Sequence, residues 1–228
     1  MAYTFGAKDL MSALGLTAAD WEIQNTNEDR QQDWAGTKTR LGAHVAAAET
    51  AHNDRTDLTV ELKLKNPAGA QVEFTLGGEG TGTAPATVVV TQFSLKETYN
   101  DNGTLSLTAH RHEDQTNEQA AHLATPLSQT IDLTIGFGVG AVRLGGTLDD
   151  CQSAELTGSV EHRDKYGNKG KFLVGASTGL RFECTEEYVD NGTPVTVPSP
   201  WKQDSQAVKT DNDDFYTRTV KAHAYSLS

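Results

Sequence analysis

Two histidines on one strand face are the residues of this sequence that come closest to a metal site. His110 and His112 lie two positions apart in an alternating segment, and Glu113 and His122 follow them. Imidazole and carboxylate groups of this kind are typical zinc ligands. The simpler interpretation, which we favour, is that a strand ends here and runs into a polar linker. The sequence therefore predicts no metal site and no bound cofactor.

Catalytic signatures are missing from the rest of the sequence. There is no Gly-x-Ser-x-Gly motif and no Walker or Rossmann phosphate loop, and neither cysteine has a histidine beside it. The acidic groups at Asp149–Asp150, Glu186–Glu187 and 211–214 are interpreted as turn and loop positions. We expect a protein that is not an enzyme. Cys151 and Cys184 are predicted to be buried thiols, with a disulfide between them as the less favoured alternative.

Charge and composition exclude several classes of protein. The 228 residues include 31 acidic and 19 basic ones, which gives a net charge of −12 and no cluster of Lys and Arg. Such a surface repels phosphate, so specific binding of nucleic acid is not expected. No apolar run approaches the roughly 20 residues that span a bilayer, and residues 1–16 do not have the pattern of a signal peptide. The sequence predicts a soluble globular protein made in a cytoplasm.

A segment of the chain occurs twice. Residues 95–112 match residues 208–225 at a single offset of 113 positions. The matched pairs are Leu95 and Val208, Lys96 and Lys209, Asp101 and Asp214, Ser106 and Thr219, Leu107 and Val220, Ala109 and Ala222, and His110 and His223. Apolar and polar residues alternate in both copies, and Asn100–Gly103 has turn-forming composition. Each copy is therefore predicted to be a β-hairpin.

Weaker matches upstream suggest that a larger unit is duplicated. At an offset of 110, His52 and Asp54 match His162 and Asp164. The alternative is that any β-rich chain with Asn-Gly turns aligns to itself this well. We predict a mainly β protein with a short N-terminal helix and two tandem related antiparallel β-sandwich or barrel units. Residues 1–125 form the first unit with its helical lead-in and linker, and residues 126–228 form the second.

Several elements are predicted from local patterns. The helix is placed at Lys8–Leu16. Asn25–Gly36 has no apolar periodicity and is predicted to be a loop. Thr39–Ala51 alternates but also contains an alanine run that would suit a helix, and we favour the strand. Leu58–Lys65 and Gln71–Leu76 are predicted to pair as a hairpin.

Three apolar residues are candidate contacts between subunits. Trp201 lies in Thr193–Thr210, the longest stretch predicted to be irregular, and it anchors either its own domain or a neighbouring subunit. Ile135 and Phe137 lie in a segment whose closely spaced glycines indicate a bulge or a close backbone approach. We expect these residues to contact other copies of the chain.

As a layout, the chain resembles the tail tube and baseplate hub proteins of tailed bacteriophages. The features that carry the resemblance are the two β units, the helical lead-in, the long polar loops, the acidic balance and the missing catalytic motifs. It implies a virion protein, made in the host cytoplasm, whose sheets join edge to edge into a ring around a passage for DNA. The long stacking hairpin of tube proteins is not identified, which leaves tube and hub open.

The expected partners follow from this resemblance. They are other copies of the chain, in a ring of three or alternatively six with stacked rings as an option, and other tail proteins. The competing hypothesis is a β-sandwich that recognises carbohydrate or acts as an adhesin. Such a module needs exposed aromatic residues, and aromatic residues make up only 7% of the chain.

Overall fold

The computed structural model describes residues 6–35, 50–78, 88–112, 127–166, 172–210 and 216–227. These residues form a mainly β fold with one helix, α1 (Ala7–Ala13), and a short 3-10 turn at Leu148–Asp150. The strands are β1 (Trp21–Ala35), β2 (Thr50–Leu64), β3 (Ala70–Gly77), β4 (Val88–Thr98), β5 (Asp101–His112), β6 (Ser128–Ile135), β7 (Cys151–Tyr166), β8 (Phe172–Val189), β9 (Lys202–Thr210) and β10 (Tyr216–Ala224). Within the described ranges, no helix has the length and apolar content needed to cross a membrane.

All ten strands belong to one almost entirely antiparallel sheet. The main path through it runs β1-β2-β5-β4-β7-β8-β10-β9. The first four strands of this path are two hairpins in the order β1-β2-β5-β4, and the last four repeat that order as β7-β8-β10-β9. Pairing of β4 with β7 joins the two sets. β3 lies off this path, where it pairs with β6 and touches β4.

Alternating apolar side chains build the core. Leu105, Leu107 and Ala109 of β5 are buried, as the alternation predicts. Phe93 of β4 lies at the centre, with its ring centroid 5.4 Å from that of Phe74 and 6.3 Å from that of Phe182. The apolar residues of both halves therefore pack into one continuous cluster.

Both predicted hairpins are present, as β4–β5 and β9–β10. The turn of the first differs from the prediction. Thr98 pairs with Asp101, so the turn residues are Tyr99 and Asn100, and Gly103 already lies within β5. The predicted N-terminal helix is confirmed, although it begins one residue and ends three residues earlier than expected.

Three other predictions are wrong. The loop prediction for Asn25–Gly36 is wrong for residues 25–35, because β1 continues through this polar segment to Ala35 and pairs with β2. Backbone hydrogen bonds to β2 stabilise this strand. Its polar side chains need no apolar alternation, because residues 24–29 are exposed at the sheet edge. β3 is not the partner of β2 but of β6. The predicted irregular stretch ends early, since its last nine residues, Lys202–Thr210, form β9.

Other predictions fall on the part of the chain that is not described. The strand at Thr39–Ala51 lies outside it except for the first residues of β2, and so does the linker at 113–125. The predicted unit boundary falls before β6, yet β6 pairs along its length with β3 of the first predicted unit.

Candidate functional site

The two outer strands of the sheet are a candidate assembly site. Within the described residues, β1 pairs only with β2, and β9 pairs only with β10. We call their free sides the β1 edge and the β9 edge. Gln24–Asp29 are exposed along β1, and every residue of β9 except Gln206 is exposed. Because a free edge presents a row of unpaired N–H and C=O groups, each edge can accept a further strand.

The pairing between β4 and β7 shows how two such strands join inside this chain. It runs antiparallel from Gln92 opposite Ser159 to Thr98 opposite Ser153. Gly158 makes the close packing possible, because a Cβ atom there would lie 2.3 Å from the ring of Phe93. We call this pairing the central junction.

The three predicted subunit contacts lie in different environments. Ile135 is 0% exposed and belongs to the core of its own chain, whereas Phe137 is 58% exposed. Trp201 is partly buried against the core, and its backbone N–H donates to the carbonyl of Pro198 over 3.0 Å. Of the three, Phe137 is the one that presents a large exposed apolar surface. Contact of these residues with another copy stays a prediction.

Two buried glutamates hold the segment between β6 and β7. Glu186 accepts hydrogen bonds from the backbone N–H groups of Arg143 at 2.6 Å and Leu144 at 2.9 Å, and from the hydroxyl of Tyr188. Glu97 accepts from two backbone N–H groups, those of Gly136 at 3.2 Å and Gly140 at 2.7 Å. Burial raises the pKa of Glu97. The prediction that Glu186 lies in a loop is wrong, because it is a core residue of β8.

Glycine allows this segment to approach Glu97. A Cβ atom on Gly140 would lie 2.6 Å from Oε1 of Glu97. The closely spaced glycines of this segment predict a bulge or a close backbone approach, and Gly140 makes the close approach. It brings a backbone donor within hydrogen-bonding distance of a carboxyl group that has no access to water, and so gives a buried polar oxygen a hydrogen bond.

A histidine–aspartate cluster joins the two halves of the sheet. It consists of His110 and His112 of β5 and His162 and Asp164 of β7, and all four side chains are at most 7% exposed. The ring centroids of His110 and His162 are 4.4 Å apart. Oδ1 of Asp164 lies 3.1 Å from Nε2 of His162 and 3.4 Å from Nε2 of His112.

Asp164 is the charged centre of this cluster. Its burial raises the pKa of the carboxyl group, but hydrogen bonds from His112 and His162 outweigh that effect and hold the pKa well below its usual range. Arg55 of β2 donates to its second oxygen, Oδ2, over 2.9 Å. Asp164 is therefore an ionised carboxylate that contacts three basic side chains.

Sequence reasoning found half of this cluster. His110 and His112 were candidate ligands, whereas Glu113 and His122 lie outside the described residues. In the sequence, His162 and Asp164 stand out only as repeat partners of His52 and Asp54. Their spacing of two positions places both side chains on one strand face, as for His110 and His112, and that signal could have identified them.

Both cysteines are buried free thiols, as predicted. Burial, with a smaller contribution from the nearby Glu186 carboxylate, raises the pKa of Cys151 to about 12. The same causes raise the pKa of Cys184. These thiols therefore stay protonated near neutral pH.

Comparison with known proteins adds no assignment to these sites. The chain matches no protein-family model, and the search of curated proteins gives no significant match.

Proposed function

We propose that this protein is a structural component of a bacteriophage tail that assembles into a ring of the tail tube or of the hub and baseplate. The observation that supports the proposal is the agreement between the two halves of the sheet. They repeat one strand order, they join through the central junction, and each leaves one outer edge.

Agreement between the halves extends to individual residue pairs in the second hairpin of each. Seven of the eight cross-strand pairs of β9–β10 correspond, at an offset of 113 in both strands, to pairs of β4–β5. Val220 opposite Gln206, for example, corresponds to Leu107 opposite Phe93. The ladder of the first half skips Thr91, and that of the second skips the matching Asp204.

The first hairpin of each half agrees in the same way. An offset of 128 carries β1 onto β7, and one of 126 carries β2 onto β8, so that Ile23 opposite Leu62 corresponds to Cys151 opposite Tyr188. The two bulges of β1 fall on the two bulges of β7 that share this offset. The upstream offset of 110 in the sequence would instead place β2 on β7. Two tandem related four-stranded units explain all of these correspondences.

The central junction then provides a template for contact between copies. In it, β4 pairs with β7. In the repeated strand order, β9 occupies the position of β4, and β1 occupies the position of β7. We infer that the β9 edge of one copy pairs antiparallel with the β1 edge of the next. If β9 and β1 pair in the same register as β4 and β7, the following residues lie opposite each other. They are Ser205 with Gln31, Gln206 with Arg30, Ala207 with Asp29, Val208 with Glu28, and Lys209 with Asn27.

When each copy binds the next through this same contact, and the rotation between neighbours divides a full turn evenly, the copies close into a ring. Three copies are the preferred number, since they provide six similar units and, with eight strands on the path of each chain, a closed barrel of 24 strands. Six copies are the alternative. The net charge of −12 suits a lumen through which DNA passes without binding. Other tail proteins are the expected partners above and below the ring.

Disulfide cross-linking tests the proposed register. Val208 is 46% exposed and Glu28 is also exposed, and they lie on opposite edges of one chain, so a bond between cysteines at these positions links different copies. The V208C/E28C variant is expected to form covalent oligomers on mild oxidation. The control is V208C/N27C, because Asn27 is exposed but its side chain points to the other face of β1. It is expected to cross-link poorly.

The size of the largest cross-linked species gives the number of copies. A species that stops at three chains supports the trimeric ring, and one that stops at six supports the hexamer. Negative-stain images of the unmodified protein are expected to show rings. A monomer at micromolar concentration, with equal cross-linking of both variants, would show that the edges do not pair in this way.

A further inference from the structure

We propose that the histidine–aspartate cluster binds a divalent transition-metal ion, with His110, His162 and Asp164 as ligands. One ligand atom from each of these residues lies within 4.8 Å of the other two. Two imidazoles and one carboxylate form a ligand set that suits Zn²⁺, Co²⁺ or Ni²⁺. This proposal departs from the sequence prediction of no metal, because the structure adds His162 and Asp164 from a second strand.

The position of one proton supports the proposal. The Ser177 hydroxyl donates to the carbonyl of Gly78 over 3.1 Å, and its oxygen lies 2.9 Å from Nδ1 of His162. Because a serine hydroxyl has a single proton, Nδ1 of His162 must be the donor in the second contact. In a neutral ring Nε2 is then an acceptor, and it lies 3.1 Å from Oδ1 of Asp164, which is also an acceptor when the carboxyl carries no proton there. Two acceptors cannot face each other at this distance, so either a second proton on His162 or a bound cation lies between them.

The distances agree with a metal ion in that place. Zinc binds imidazole nitrogen and carboxylate oxygen at about 2.0–2.2 Å, so two ligands of a tetrahedral ion are roughly 3.3–3.5 Å apart. Nε2 of His162 and Nε2 of His112 lie 3.1 and 3.4 Å from Oδ1 of Asp164. Small movements of the side chains therefore suffice to bring the ligands to binding distance.

The surrounding residues fix the ligands in orientation. Arg55 holds Oδ2 of Asp164 at 2.9 Å and leaves Oδ1 directed at the histidines. Ser177 fixes the ring of His162. Contacts of this kind to the groups behind the ligands are typical of protein metal sites. A bound ion would connect β5 of the first half to β7 of the second, so it would tie the two halves together beside the central junction.

Metal titration of the full chain tests this site. The protein is treated with chelator, dialysed, and titrated with ZnCl₂ by calorimetry, with elemental analysis of the product. We expect one ion per chain and a melting temperature that rises with zinc concentration, because the ion binds only the folded state. Co²⁺ is expected to give the visible absorption of a tetrahedral site.

Variants locate the ion. H162Q and H110N are expected to abolish stoichiometric binding, and S177A to weaken it about 10–100-fold, as observed for residues that orient ligands. The matched control is H223Q. His223 also contacts an aspartate, with Nδ1 2.7 Å from Asp204, but this pair is on the surface. The control should bind zinc as the unmodified protein does, and circular dichroism checks that each variant is folded.

Three results would overturn the proposal. The first is the lack of stoichiometric binding by the unmodified protein. The second is unchanged binding by folded H162Q. The third is a nitrogen NMR spectrum in which His162 carries protons on both ring nitrogens and does not respond to zinc, because the positive charge would then be an imidazolium proton.

Discussion

Substitution of Glu186 by alanine tests the buried carboxylate that holds the segment between β6 and β7. Glu186 is 0% exposed and accepts from the backbone N–H groups of Arg143 and Leu144. Without it, each buried donor that finds no other acceptor costs about 1–3 kcal/mol. Removal of a buried charge offsets part of this cost, and the cavity adds to it. We expect a loss of about 4 kcal/mol in the free energy of unfolding.

Urea denaturation followed by circular dichroism measures this loss. In a chain of this size about 4 kcal/mol corresponds to a fall of roughly 8–16 °C in melting temperature. Glu187→Ala is the control, since the next residue of β8 points to the other face and its loss is expected to stay within about 0.5 kcal/mol. Glu186→Gln keeps one acceptor oxygen and should lie between the two. Equal stabilities of the two alanine variants would refute the role assigned to Glu186.

Two further predictions concern the core. Gly158→Ala should destabilise the protein by about 1–3 kcal/mol, because the new Cβ atom would lie 2.3 Å from the Phe93 ring. Gly136→Ala is the control, since a Cβ atom there meets nothing closer than 3.7 Å. Similar urea midpoints for the two variants would contradict this packing. Cys151 and Cys184 should resist a thiol reagent at pH 8 in the folded protein and react in urea, since burial raises the pKa of Cys151 to about 12. Rapid labelling of the folded protein would show that the thiols are accessible.

The hairpins could be predicted because their information is local. Alternating residues and turn composition lie within about 25 positions, and the offset of 113 between the copies is visible in the sequence. Most of β1 and the first six residues of β9 could not be predicted in this way. β1 and β9 have few apolar residues, and what makes them strands is the partner strand beside them. That partner lies at a distance that periodicity does not reveal.

The candidate sites show the same limit. Glu186 is one of two adjacent acids with turn-like composition, and only the fold shows that backbone donors from a distant segment surround it. Asp164 contacts His112, and His162 contacts His110, in each case across about 50 residues of sequence. Buried polar residues depend on tertiary contacts for their hydrogen bonds, so their roles cannot be read from local composition.

β9 and β4 occupy the same position in the repeated order but differ in sequence, and the proposed ring explains the difference. Phe93 and Leu95 of β4 are buried at the central junction, whereas their counterparts Gln206 and Val208 lie on an open edge. An apolar open edge would aggregate before the ring closed. Strand pairing through backbone hydrogen bonds does not need apolar side chains. In the proposed ring, a polar β9 would limit aggregation of the free chain and still offer backbone N–H and C=O groups to the next copy.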